Sequence, residues 1–296
     1  MSDDEADEEL LDLLRKSLGM TSGKAEPPKI QVLEDAEFIN DNATDVALDM
    51  QGTKAAAERI YQSMQEKSYD THIWRTHELH PQSKDSNTVH FIFVMDLLNF
   101  SFWSSCEDSS LRYVVEYREK QWTGYRSLVA ALQRALDDDV PITTPSFWAA
   151  LEQCSDANLK HVFRSSTTES MPLLEDRISC LREAGQVLED VCRTTMTLNG
   201  QADRGQHFGG TFVNVLEKAN GSAAALVDLL VRNFPSFDDS HMFEDRRVRF
   251  YKRAQILVAD IWACFEGEGY GYFADIDQVT IFAGIRPLTA QADSSC

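Results

Sequence analysis

A chain of 296 residues, 43% of them hydrophobic, is long enough to bury a substantial core, as one large domain or two small ones. Its 48 acidic against 28 basic residues leave a formal net charge of −20, which argues against a nucleic-acid polymer as the main partner, because phosphate backbones are held by accumulated Lys and Arg. Six cysteines without C-x-x-C spacing lack the clustered pattern of a disulfide scaffold and read as reduced thiols. No apolar run approaches the roughly 18 residues of a membrane span, and the acidic start M-S-D-D-E lacks the basic region of a signal peptide. The expectation is a soluble cytoplasmic protein, with the nucleus as a second compartment and no membrane partner.

Residues 1–29 join an acidic head to Leu10, Leu11, Leu13, Leu14 and Leu18 and then to T-S-G-K-A-E-P-P-K. So short an amphipathic segment has little helical stability without packing, so a disordered tail is expected. From Val32 the apolar spacing becomes helical, in one stretch up to Met50 and another from Thr53, with Gly52 as the expected break. The run Trp74 to Pro81 follows, W-R-T-H-E-L-H-P. Its His77 and His80 lack the i, i+4 spacing of H-E-x-x-H, so no metal site is assigned, and His77 reads as a loop histidine near a helix end.

Val89 to Trp103 is the most apolar stretch, and its section from Phe91 to Met95 suits a strand or a buried helix equally. Asp96 and Asn99 inside it need hydrogen-bond partners if buried. Phe100, Phe102 and Trp103 could wall a cavity for a flat heterocycle. Alternation around R-E-K-Q between 111 and 125 predicts a hairpin. Helices resume after Tyr125. One begins at Thr144-Pro145, where Thr can cap and Pro can take the first helical position. Another runs from Pro172 to about Arg193, and two more lie between Phe212 and Phe234. Between them, T-L-N-G-Q-A-D-R-G-Q-H-F-G-G reads as a surface insertion. The stretch from Arg246 begins with Arg246, Arg247, Arg249, Lys252 and Arg253, becomes an apolar helix interrupted by Asp260, and breaks at Gly267–Gly271. Such a cationic start could hold a small anion or belong to an ordinary core helix. With no repeat and no domain boundary after residue 30, the fold expected is one mostly α-helical domain with a small β-hairpin.

The elbow G-x-S-x-G, the phosphate loop G-x-x-x-x-G-K-[ST] and a strand-borne G-x-G-x-x-G are absent. Several blocks nonetheless resemble the queuosine salvage protein family, whose members are queuosine 5′-phosphate N-glycosylases. They are D-L-L-N-F-S-F-W (Asp96 to Trp103), W-T-G-Y (Trp122 to Tyr125), P-I-T-T-P-S-F-W (Pro141 to Trp148), S-M-P-L-L-E-D-R (Ser170 to Arg177), F-P-S-F (Phe234 to Phe237) and F-Y-K-R-A-Q-I-L-V-A-D-I-W (Phe250 to Trp262). The resemblance implies a fold related to the helical DNA glycosylases over residues 30–284. It also implies hydrolysis of the bond joining the 7-deazaguanine base queuine to ribose 5-phosphate, without a cofactor, so that the base can be reinserted into tRNA.

Cleaving such a bond builds positive charge on the sugar. A carboxylate near C1′ can stabilise that charge, attack, or activate water, while a second group helps the base accept a proton. By resemblance His77 contacts the base, and Ile281 and Phe282 line the same pocket. Charge and position add Lys252 as a phosphate or sugar contact and Asp260 as a carboxylate that orders the site. The family reads F-A-D-Y-R where this chain reads F-A-G-I-R, so Gly284 occupies the position of the family's catalytic aspartate. The ending 285–296 matches nothing in the family, which points to a mispredicted splice site or frameshift. The expectation is a family member deficient in the reaction. Its rivals are a noncatalytic queuine-binding pseudoenzyme and a glycosylase acting on polymeric nucleic acid.

Overall fold

The computed structural model describes residues 29–66, 74, 77–104, 106–189, 194–196, 202–204 and 208–280. Ile281, Phe282, Gly284 and the expected tails lie outside the described residues. Ten helices and three two-stranded antiparallel hairpins make up the described structure. The mostly α-helical class expected from sequence is thereby borne out.

Helices α1 (Val32–Asn42) and α2 (Met50–Glu66) come first. Gly52 does not break them: it lies inside α2, because the Asp49 carboxylate accepts from the backbone N–H of Gln51 and Gly52 and caps the first turn there. The apolar run of uncertain type is helix α3 (Ser86–Leu97). Asp85 caps it by accepting from Thr88 N–H, and nearly every side chain from Thr88 to Leu97 is buried. Its missing amphipathic signal has this cause: a helix surrounded on all sides has no polar face to reveal its period. Around α3 pack α4 (Tyr125–Asp137), α7 (Leu174–Glu189), α8 (Phe212–Lys218) and α10 (Lys252–Phe265). Phe93 of α3 stacks on Phe212 at 4.2 Å and on Trp148 at 5.7 Å.

The predicted hairpin is β1 (Val115–Tyr117) with β2 (Lys120–Trp122), turning through left-handed Arg118 and Glu119. Trp148 belongs to the short helix α5 (Pro145–Ala149), which α7 approaches so closely that a Cβ on Gly185 would sit 2.8 Å from Ala149 N. Helix α6 (Asp156–Val162) and α9 (Ala223–Asn233) complete the helical shell. Just ahead of the expected surface insertion lies β3 (Thr194–Met196), which pairs antiparallel with β4 (Ala202–Arg204) inside it.

A third hairpin, β5 (Ser240–Phe243) with β6 (Arg246–Arg249), was not anticipated. It corrects the reading of Arg246, Arg247 and Arg249 as the cationic start of a helix. They lie on a strand, and α10 begins only at Lys252. The reason is an ion-pair cluster: Asp35 of α1, fully buried, meets Arg246 at 2.6 Å and Arg249 at 2.9 Å and also accepts from Arg249 N–H. Arg246 further covers the Phe38 ring. Burying Asp35 without these partners leaves an uncompensated charge, so Arg249→Ala is expected to cost about 3 kcal/mol in a urea unfolding titration. A loss indistinguishable from a surface substitution contradicts that assignment.

Candidate active site

The C-terminal end of α3 runs into the loop Asn99–Trp103, and two arginines hold this loop from below. Arg177, fully buried, donates to the carbonyl oxygens of Pro172, Phe100 and Ser101. Arg253 donates to those of Leu97, at 2.7 Å, and Ser236. Their guanidinium groups lie 4.3 and 4.8 Å from the centre of the Phe100 ring. Burial lowers the Arg177 pKa to about 10; the carbonyl dipoles and ring faces stand in for a counter-ion. Phe100 is therefore occupied by cations and Trp103 is 78% exposed, so these rings do not form the stacking wall suggested by the sequence.

Above the loop, α3 and α10 bring together two carboxylates. Asp96 is completely buried, and among the described residues neither of its oxygens makes a hydrogen bond of good geometry, although Asn99, Asp260 and Arg253 lie near enough to influence its charge. Burial, then the like charge of Asp260, pushes its pKa well above the ordinary carboxylate range. Asp260 keeps some surface, and desolvation raises it to about 7.

A histidine and aromatic cluster adjoins this pair. Tyr125, at the first turn of α4, has its hydroxyl 2.8 Å from His80 Nε2 and 3.0 Å from Met95 Sδ. The charges of Asp260 and Asp96 reinforce the effect of burial in raising the Tyr125 pKa. His80 Nδ1 faces the Trp74 carbonyl at 3.2 Å, so that nitrogen carries the proton and Nε2 accepts from Tyr125. Burial, then the charge of His77, lowers His80 to about 4; it stays neutral. Its ring is sandwiched between Trp74 at 3.9 Å and His77 at 4.4 Å. His77 Nδ1 accepts from Leu79 N–H, which leaves its Nε2–H as a donor. His77 is thus a turn residue, as expected.

Lys252 opens α10, where the Asp239 carboxylate accepts its backbone N–H. Among the described residues the Lys252 ammonium has no hydrogen-bond or ion partner, whereas Arg247 pairs with Asp238 and the other arginines of the run are held as above. One turn further, buried Gln255 accepts from Thr280 N–H at 2.8 Å and Thr280 Oγ at 3.0 Å, and donates to the Phe250 carbonyl. This fixes the residue that immediately precedes Ile281, Phe282 and Gly284. Ahead of it, Asp275 accepts from Ser222 and the first N–H groups of α9. The glycine break after α10 is as expected, and Gly271 is required there because a Cβ would sit 2.9 Å from the Ile261 carbonyl. A cavity of about 640 Å³, lined by residues such as Lys160, Arg164 and Glu169, shares no residue with the carboxylate cluster.

His77, Lys252 and Asp260, singled out in the sequence, lie among the described residues; His80, Tyr125 and Gln255 were not singled out, although Tyr125 and Gln255 stand in blocks that carry the family resemblance and His80 in the run Trp74 to Pro81. The described geometry is that of a helical domain with a buried and a partly buried carboxylate beside a neutral histidine and aromatic cluster. A family model described as Queuosine salvage protein matches residues 79–289. A protein of Schizosaccharomyces pombe named queuosine 5′-phosphate N-glycosylase/hydrolase is 42% identical over 261 residues, covering 86% of this chain and 71% of its own. Identically named proteins of Mus musculus and Sphaerobacter thermophilus are 40% identical over 262 residues and 34% over 209, covering 88% and 71% of this chain and 70% and 57% of their own lengths. The chain belongs to the queuosine salvage protein family.

The carboxylate pair has a consequence for stability. Because the folded state binds protons to Asp96 and Asp260 more tightly than the unfolded chain does, their contribution is largest below the ordinary carboxylate pKa of 3.8. It declines as pH rises toward about 7, where Asp260 ionises. Asp96→Asn removes one of the two groups, so chemical unfolding measured across this window is expected to show a shallower loss of stability with rising pH. An unchanged slope contradicts the burial of a proton at Asp96.

Proposed function

We infer that this chain is a queuosine 5′-phosphate N-glycosylase/hydrolase by descent, releasing queuine and ribose 5-phosphate for queuine salvage into tRNA. The observation that carries this reading is the family match over residues 79–289, joined by relatives at about 40% identity over most of the chain. The acidic net charge of −20 fits a mononucleotide substrate, which needs one local cation and no extended basic face. None of the described helices is long and apolar enough to cross a membrane.

In the reaction the C1′–N bond breaks with its electron pair leaving on the base. Water adds to C1′, and a proton reaches the base. His77, with Nε2–H directed away from its own turn, is assigned to the base. Ile281 and Phe282 are assigned to the same pocket by the family resemblance. Lys252 is assigned to the phosphate, since the neighbouring arginines are committed to other groups. Asp260 orders the site. At the sugar the family's catalytic carboxylate is replaced by Gly284, so the chain is deficient in hydrolysis while keeping its base pocket.

Two outcomes are expected. Gly284→Asp raises the rate of queuine release from queuosine 5′-phosphate by about 100-fold or more, the scale of a positioned acid or base; release by the unaltered chain at the rate of its variant contradicts the deficiency. Lys252→Ala weakens binding of queuosine 5′-phosphate by about tenfold, as loss of one charge-assisted contact should. It leaves binding of the dephosphorylated nucleoside unchanged, and equal effects on the two ligands remove Lys252 from the phosphate.

A further inference from the structure

The mechanism above leaves open which group gives the departing base its proton. His80 is excluded as the donor, because its Nδ1–H is turned to the Trp74 carbonyl and its Nε2 already accepts from Tyr125. Burial lowers the pKa of His77, so its imidazole is neutral and its Nε2–H can hydrogen-bond the base without protonating it; the Tyr125 hydroxyl is given to His80, and lysine and arginine stay charged and are poor acids. The acids that remain in this cluster are Asp96 and Asp260.

We propose that Asp96 and Asp260 share a single proton and supply it to the leaving base, Asp260 as the group that touches the base and Asp96 as the positioning residue behind it. This rests on the functional reading given above. Asp96 is wholly buried with both oxygens unsatisfied among the described residues, where the other buried carboxylate, Asp35, has two arginines and a backbone N–H. A carboxylate so placed is tolerable as an acid hydrogen-bonded to its neighbour, and costly as an isolated anion. Asp260 lies against it from α10 and retains surface, so the pair opens outward through Asp260 alone.

The pair is also in the right neighbourhood. A continuous series of contacts leads from His77 through the stacked His80 to the Tyr125 hydroxyl, whose own ionisation both aspartates oppose. On the other side, the helix that carries Asp260 carries the Gln255 clamp on Thr280. The groups facing the pair are Tyr125 from α4, Arg253 from α10 and Asn99 from the loop after α3. Tyr125 is held neutral, and Arg253 is a fixed cation anchored to backbone. Neither competes for the proton near neutral pH, and the raised pKa values of both aspartates agree with one proton on the pair.

The step balances. As the C1′–N bond breaks, the electron pair on the base nitrogen takes the proton from the Asp260 side of the pair, leaving both carboxylates ionised. The water that adds to C1′ loses a proton, which restores the pair. Two carboxylates in contact cannot both remain ionised at low cost, so giving the proton away is coupled to regaining it from water.

The test is infrared difference spectroscopy of the unaltered chain and its Asp96→Asn and Asp260→Asn variants at mildly alkaline pH, with and without queuine. The unaltered chain is expected to show one protonated-carboxyl band that queuine shifts. Asp96→Asn should lose the band, and Asp260→Asn should keep a band, from the lone buried Asp96, that queuine no longer shifts. Absence of the band from the unaltered chain overturns the shared proton. A band indifferent to queuine, with queuine bound as judged by calorimetry, overturns the assigned role. If queuine does not bind at all while the band is present, the functional reading fails and the role falls with it.

Discussion

The packing of α3 against α10 is the constraint on which the rest of the described site depends. Together with α4, α7 and α8 it surrounds α3 with apolar side chains, and in doing so removes Asp96 from water with neither oxygen in a hydrogen bond among the described residues and with Arg253 near but committed to backbone carbonyls. The only carboxylate chemistry compatible with that environment is a protonated one, or one shared with Asp260 across the helix contact. Tyr125 and His80 extend this arrangement outward as a series of neutral groups with a defined order of donors and acceptors.

The cations of the chain are arranged on the opposite principle. Arg246 and Arg249 neutralise Asp35, Arg247 pairs with Asp238, and Arg177 and Arg253 hold the Asn99–Trp103 loop through its carbonyl oxygens. A run of basic residues that resembles an anion-binding patch in the sequence is therefore mostly structural, leaving Lys252 at the mouth of α10. This is consistent with a site for one phosphate rather than a strand of them.

Much of the fold was legible. The start of α5 with Pro145 in the first helical position, although the Thr144 hydroxyl makes no cap bond, and the glycine break after Phe265 act through local backbone chemistry, which a sequence displays directly. The β5–β6 hairpin was not legible, because its strand character comes from Asp35 over two hundred residues away binding Arg246 and Arg249, and no local pattern records such a partner. Gly52 misled for the converse reason: its intrinsic cost in a helix is small enough for the Asp49 cap to offset. At the site, Asp260 stood out as a charge in an apolar stripe, and Asp96 as a carboxylate in the most apolar stretch. Their pairing could not be read, since it depends on how two helices meet. Gln255 gave no signal at all, because a glutamine on a helix is ordinary until something is found bonded to both of its amide atoms.

The central claim is that this chain keeps the family's base pocket although Gly284 replaces the carboxylate at the sugar. Direct calorimetric titration of queuine into the unaltered chain tests it most plainly. Saturable binding, displaced by queuosine 5′-phosphate and weakened by His77→Ala, is the result this account predicts. Failure of queuine to bind to a chain that is folded by circular dichroism contradicts it.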